Sequence, residues 1–471
     1  MSEQTYDVVV VGGGPVGENV AARAVRGGLS AALVERELYG GECSYWACIP
    51  SKALLRPVEL LAATRRLPGL PGGDLDVGAV LARRDAFTGG FDDSGQEKWV
   101  RGVGVEPVRG HGRLVGPRRV EVTGSDGSVQ VLTARHAVVL ATGTRAAVPP
   151  IDGLREARPW TSREVTGMER VPRRLVVLGG GVVAVEMAQA AKGLGAEQVT
   201  VLERGPRLLA RMEPFAGELL AEALRADGID VRLSGEVVRV RREQPGGPVT
   251  VGLAGGGEVT GDELLCALGR TPATDDLGLD AVGLAPGRYV EVDDSLRATD
   301  VDGGWLYAAG DCNGRALLTH MGKYQARVCG DVIAARAKGD PDDLPALRAS
   351  SDAGAVPQVV FTDPQVCAVG LTEQQARESG RPVDVVGYDV GGVAGAALQA
   401  DGYRGRAQLV VDRDRRVLLG ATFVGPELAD LLHSATVAVV AEVPLERLWH
   451  AVPSYPTVSE VWLRLLEEYG L

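Results

Sequence analysis

One arrangement of residues occurs twice along this chain of 471. Near its start, Val8-Val9-Val10-Val11 runs into Gly12-Gly13-Gly14-Pro15-Val16-Gly17. An Ala-rich helical stretch follows to about Arg26, and a second apolar run, Ala31-Ala32-Leu33-Val34, ends at Glu35. Further on, Leu175-Val176-Val177-Leu178 leads into Gly179-x-Gly181-x-x-Ala184, then a helical stretch to about Leu194. Val199-Thr200-Val201-Leu202 follows and ends at Glu203. Short apolar runs rich in β-branched residues, without alternation, are the pattern of parallel strands buried on both faces. The first glycine and the closing acid are 23 positions apart in one copy and 24 in the other. This spacing predicts an α/β protein built on two parallel-sheet units of the same kind.

Strand, glycine turn, helix, strand and terminal acid, in that order, form the dinucleotide-binding fingerprint, so both units are read as Rossmann-like. The first glycine (Gly12, Gly179) permits the tight turn, and the second (Gly14, Gly181) lets the backbone approach a pyrophosphate. The third position (Gly17, Ala184) packs helix on strand. The helix N-terminus supplies N–H groups and a positive dipole end for phosphates. Glu35 and Glu203 are placed to take adenosine ribose hydroxyls. Two such sites in one chain suggest FAD beside a nicotinamide cofactor, one to hold electrons and one to deliver them. Glu203 favours NAD(H) over NADP(H), because a carboxylate repels a 2′-phosphate, although Arg204 and Arg207 soften that choice.

Composition excludes several alternatives. The formal net charge is −12, which argues against a nucleic-acid partner that would need a basic patch. No run of 18 apolar, uncharged residues is present, so no membrane span is expected. The polar, acidic start of the chain does not read as a secretory leader, and a cytoplasmic location is expected. Six cysteines in so long a chain are not a disulfide scaffold. The absence of C-x-x-C argues against a thiolate zinc site, and no metal site is expected.

Two of those cysteines lie in Gly40-Gly41-Glu42-Cys43-Ser44-Tyr45-Trp46-Ala47-Cys48-Ile49-Pro50-Ser51-Lys52. In a regular helix, residues five apart are separated by about 7.5 Å of axial rise. A disulfide needs Cα atoms within about 7 Å. Either the two do not pair or the segment is a distorted turn. Pro50 fits a helix that begins after that turn.

This segment, Gly41-x-Cys43-x-x-x-x-Cys48-Ile49-Pro50-Ser51-Lys52, resembles the redox-disulfide signature of the pyridine nucleotide–disulfide oxidoreductases. The resemblance covers nearly the whole chain. Ala141-Thr142-Gly143 resembles the family's turn back from its FAD domain, and Leu268-Gly269-Arg270-Thr271-Pro272 its exit from the NAD domain. Tyr307-Ala308-Ala309-Gly310-Asp311 resembles the second FAD fingerprint, and Leu318 falls where the family's backbone passes the flavin. The resemblance implies a Cys43–Cys48 redox disulfide, with Cys48 on the flavin side and Cys43 as the interchange thiol. It implies that Lys52 lies near the flavin and pairs with Glu186. It further implies an FAD domain (1–150 and 273–345), an inserted NAD(P) domain (151–272) and a C-terminal α+β dimerisation domain (346–471) that makes the protein a homodimer.

The chain departs from the family pattern in two places. Members carry a His-Pro with Glu five residues later, a general base supplied by the partner subunit. Here the matching run is Tyr455-Pro456-Thr457-Val458-Ser459-Glu460. A free tyrosine titrates at about 10 and a histidine at about 6.5, so Tyr455 is a poor proton acceptor at neutral pH. His450, five residues earlier, is a candidate substitute. Tyr45, Trp46 and Ala47 also replace the family's Asn, small aliphatic and Gly. Two aromatics beside the thiols either close the acceptor site to bulky disulfides or offer a surface to a flat acceptor. The expected function is an FAD-dependent enzyme passing electrons from NAD(P)H through flavin and Cys43/Cys48 to a small-molecule disulfide, similar to dihydrolipoamide dehydrogenase, or run in reverse as a dithiol oxidase. The alternative acceptor is a quinone or a metal ion.

Overall fold

The computed structural model describes residues 2–70 and 72–471. The chain forms two compact units. The first takes in the chain up to Ile49, Asp85–Arg145 and Arg270–Ala353. Its sheet runs in the order Glu106–Arg109, Ala31–Glu35, Ser2–Val11, Val129–Leu140, Arg119–Thr123, His111–Gly116. Strand Leu306–Ala308 adds in parallel to the end of Val129–Leu140. The strands around Ser2–Val11 are parallel, whereas Arg119–Thr123 and His111–Gly116 join antiparallel.

The lack of alternation in the first apolar run has a direct cause. Val8 and Val10 enter the core shared with Val20 and Ala24 of helix Pro15–Arg26 and Val332 and Ile333 of helix Thr319–Lys338. Val9 and Val11 enter the opposite core, with Leu114, Val120 and Trp305. Each face of the strand is covered, so every position is apolar.

The second unit comprises Pro50–Arg84, Ala146–Gly269 and Gly354–Leu471. Its parallel sheet orders Asp230–Arg232, Gln198–Leu202, Arg174–Leu178 and Glu263–Cys266. Leu175 and Val177 face one core while Val176 and Leu178 face another, the same two-sided burial as in the first unit. The C-terminal sheet is antiparallel, in the order Gln358–Val360, Gln365–Gly370, Val417–Gly425, Arg406–Asp412, Val383–Asp389. One face packs against helices Leu432–Val440 and Val461–Tyr469. From the other, Val360, Val366 and Val424 share a core with Leu54, Leu55 and helix Val182–Gly193. The architecture is thus α/β, with two Rossmann-like sheets and a C-terminal α+β domain.

The cysteine segment is not one helix. A short helix, Gly41–Tyr45, ends at Trp46, whose backbone leaves helical geometry at φ −135°. A second helix, Cys48–Thr64, then begins with Pro50 in its first turn. Cys43 and Cys48 lie on opposite sides of this break, so the axial-rise argument for a regular helix does not apply to them.

Candidate active site

The two glycine turns have the same backbone. Gly12 and Gly179 each sit at φ +108°, where a Cβ would come within 2.4 Å of Ala141 O and 2.5 Å of Ala267 O respectively. A Cβ on Gly17 would lie 1.9 Å from Gly12 O, so no methyl fits there, whereas the second helix carries Ala184, fully buried, at that position. A Cβ on Gly181 would meet no atom within 4 Å, and one on Gly14 only Gly41 Cα at 3.9 Å. The protein's own packing therefore does not demand glycine at these two positions. Open space in front of a helix N-terminus suits a pyrophosphate.

The two acids are held alike. Glu35 accepts the Gly13 and Glu37 N–H groups, each at 2.6 Å, and burial pushes its carboxyl above the usual range. Glu203 accepts the Gly205 N–H at 2.5 Å. At the same C-terminal edge of the first sheet's parallel strands, Asp311 accepts a hydrogen bond from Thr144 Oγ1 at 2.7 Å, and burial raises its pKa. Arg270 braces this group by donating to Thr144 Oγ1 at 2.5 Å and to Thr144 O at 2.8 Å. The Thr142 hydroxyl is buried with no hydrogen-bond partner among the described residues. Such an orphan fits a site completed by a polar ligand. Gly143 turns the chain at φ +70° beside it. Gly12, Gly14, Gly17, Glu35, Gly41, Thr142, Thr144 and Asp311 fit FAD, and Gly179, Gly181, Ala184 and Glu203 fit a nicotinamide dinucleotide.

The redox turn lies against the first glycine turn. A Cβ on Gly41, at φ +56°, would come within 2.8 Å of Gly14 Cα. Cys48 Sγ is 3.4 Å from Thr319 Oγ1. Thr319 opens the 20-residue helix Thr319–Lys338, and Leu318 is its N-cap. A hydroxyl and a helix N-terminus both stabilise a thiolate. The other four thiols are buried. Burial pushes Cys312 and Cys367 up to about 12 and also raises Cys266 and Cys329, so these sulfurs stay protonated. Cys43 and Cys48 are half-buried.

In the second unit, Lys52 Nζ lies 2.6 Å from Glu186 Oε2, and Glu186 is 3 % exposed. The other carboxylate oxygen accepts the Phe361 N–H at 2.9 Å, and the Lys52 ammonium sits 4.9 Å from the Phe361 ring centroid. Gly269, at φ +124°, ends the segment that returns from this unit's parallel sheet.

The family model for pyridine nucleotide-disulphide oxidoreductases matches residues 6–331, and that for their dimerisation domain matches residues 356–465. This chain belongs to the pyridine nucleotide-disulphide oxidoreductases. A dihydrolipoyl dehydrogenase of Rhizobium etli is 31 % identical over 99 % of this chain and 98 % of its own. A mercuric reductase of Shigella flexneri is 33 % identical over 98 % of this chain and 80 % of its own. The structure of the HOCl-induced flavoprotein disulfide reductase RclA from Escherichia coli, as a Cu(II) complex, superposes with a TM-score of 0.84. It is 25 % identical and covers 98 % of this chain and 99 % of its own. The chain is accordingly an FAD-dependent oxidoreductase that uses NAD(P)H and carries its family's dimerisation domain. Among the described residues, no helix is long and apolar enough to cross a membrane, and no three His, Cys, Asp or Glu side chains are grouped to hold a metal ion.

In this oxidoreductase Tyr455 is 76 % exposed. Glu460 is buried, with Oε1 accepting from Arg464 at 2.7 Å and Oε2 without a hydrogen-bond partner among the described residues. His450 is exposed. The structure also brings in partners that spacing did not assign: Thr319 on Cys48, Thr144 and Arg270 on Asp311, and the Phe361 amide on Glu186. Arg270 stands within a recognisable segment, but nothing local marks these contacts.

Proposed function

We propose that the enzyme transfers two electrons from NADH to a disulfide between Cys43 and Cys48, and from there to a small disulfide acceptor or, in reverse, from a dithiol. Bound FAD supplies the two-electron relay between nicotinamide and sulfur. The observation that carries this reading is the placement of Cys48 against the Thr319 hydroxyl at a helix N-terminus, while the four remaining thiols are buried and held protonated. Thr319 donates to the Cys48 thiolate once the disulfide opens, leaving Cys43 to attack the acceptor. Glu186 fixes the Lys52 ammonium, which stabilises negative charge at the flavin. Glu203 takes the adenosine ribose of NAD(H) in preference to a 2′-phosphate. Residues 1–150 with 273–345, 151–272 and 346–471 serve as FAD, NAD(P) and dimerisation domains of a homodimer, and the partner's copy of the 455–460 segment completes the acceptor site.

Anaerobic titration with NADH, followed by alkylation and mass spectrometry, tests the reading. Cys43 and Cys48 are expected to become alkylatable together, with a long-wavelength thiolate-to-flavin absorption band that Cys48→Ser removes. Flavin bleaching with no gain of thiols at those positions overturns it. Tyr455 favours a second reading, in which the acceptor is a quinone or a metal ion that needs no histidine base. The Cu(II) complex of the similar RclA points the same way.

A further inference from the structure

We infer that Trp46 and Phe91 form a stacking platform for a flat, uncharged quinone, which the Cys43/Cys48 dithiol reduces; this rests on the redox-pair reading above. Trp46 caps the short helix Gly41–Tyr45, three positions after Cys43 and two before Cys48. Two residues span at most about 7 Å and three about 10 Å, so the Trp46 backbone stays within that reach of Cys48 and of Cys43. Its ring stacks on Phe91 with centroids 5.9 Å apart and planes 26° apart, and the buried Tyr45 ring lies 6.4 Å from Phe91 on a tilted plane. Phe91 is nonetheless 41 % exposed.

The backbone holding Phe91 is unusual. Gly89, Gly90 and Phe91 have φ of 58°, 63° and 64°, a left-handed run that disfavours any residue with a Cβ. The turn is braced: Phe91 donates its N–H to Thr88 O at 3.0 Å, and Asp93 two residues on accepts from Tyr39 N at 2.8 Å and Arg109 Nη2 at 2.7 Å. A phenyl group is thus kept half in water on a disfavoured backbone, against the indole of the redox turn. Strain retained at one position by a surrounding brace is characteristic of ligand-contact residues. Asp92, the residue after Phe91, disfavours an anionic acceptor and leaves a neutral ring as the better fit, whereas Glu42 is paired with Arg270 at 4.0 Å. In the reaction the two thiols form the S–S bond, and their two electrons and two protons become the O–H bonds of the hydroquinone. NADH regenerates the dithiol by the family's established route.

Duroquinone is the probe, because its four methyl groups block thiol addition. Phe91→Gly removes the ring and suits the left-handed backbone, so folding is preserved. It is expected to raise the KM for duroquinone about 3- to 10-fold, in line with loss of one aromatic contact. Quenching of tryptophan emission by duroquinone without NADH should weaken in parallel. NADH-driven alkylation of Cys43 and Cys48 should be unchanged, and Phe91→Tyr should restore the wild-type KM. Cys43→Ser should abolish the Phe91-sensitive reaction. An unchanged KM in Phe91→Gly, or undiminished duroquinone reduction in Cys43→Ser, overturns the platform. Failure of NADH to expose the two thiols in the wild type instead overturns the redox-pair reading beneath it.

Discussion

Replacing Lys52 by methionine keeps most of the side chain's length and removes its charge from Glu186. The carboxylate is 3 % exposed and has two donors, the Lys52 ammonium at 2.6 Å and the Phe361 amide at 2.9 Å. At an effective dielectric constant of 20, unit charges 2.6 Å apart attract by about 6 kcal/mol. Lys52 is 34 % exposed, so solvent screening and the desolvation of Glu186 cancel most of that attraction. The expected net loss for Lys52→Met is about 2 kcal/mol, because a buried carboxylate is left with one neutral donor. Adding Glu186→Gln removes the stranded charge while its amide oxygen still accepts from Phe361. The double variant is therefore expected to regain about 1 kcal/mol over Lys52→Met alone. Urea unfolding of the wild type, both single variants and the double variant measures the coupling. A double variant less stable than Lys52→Met refutes the reasoning.

Three further outcomes are expected. Glu18 is buried with Oε1 lacking a partner among the described residues, and burial pushes its carboxyl from 4.5 up to about 7. A raised acid stabilises the fold below its unfolded pKa, so that contribution is lost as pH rises from about 4.5 through 7, by about 3 kcal/mol in all. Urea midpoints of the wild type should fall relative to Glu18→Gln across that window, and a constant difference would rule the burial effect out. Thr319→Val should move the pH midpoint of the Cys48-to-flavin absorption band upward, since a donor to the thiolate is lost; an unmoved midpoint means the hydroxyl does not serve that sulfur. Tyr455→His should raise turnover of a small disulfide about tenfold or more by supplying a proton acceptor, and steady-state rates equal to wild type would show that the proton step is handled elsewhere.

The two Rossmann-like units were legible from local pattern, because burial of a parallel strand on both faces requires apolar residues at consecutive positions. Val8 to Val11 and Leu175 to Leu178 meet that demand residue by residue. The glycine turns were legible for the same local reason, since a tight backbone turn at φ +108° excludes most side chains. Strand length was less so. The first strand extends back to Ser2 because Val129–Leu140 offers it a ladder, although Arg135 and His136 interrupt that partner's apolar pattern. Contacts across the fold had no local signature. Thr319 meets Cys48 from 271 positions away and Phe91 reaches Trp46 through a strained turn, whereas the Glu186–Lys52 pair, 134 positions apart, was expected only from the family resemblance. Spacing along a chain encodes backbone geometry within a few turns. Which side chain ends beside a given sulfur or carboxylate depends on how whole helices and sheets pack, and that is settled by the combined burial of many residues rather than by any short motif.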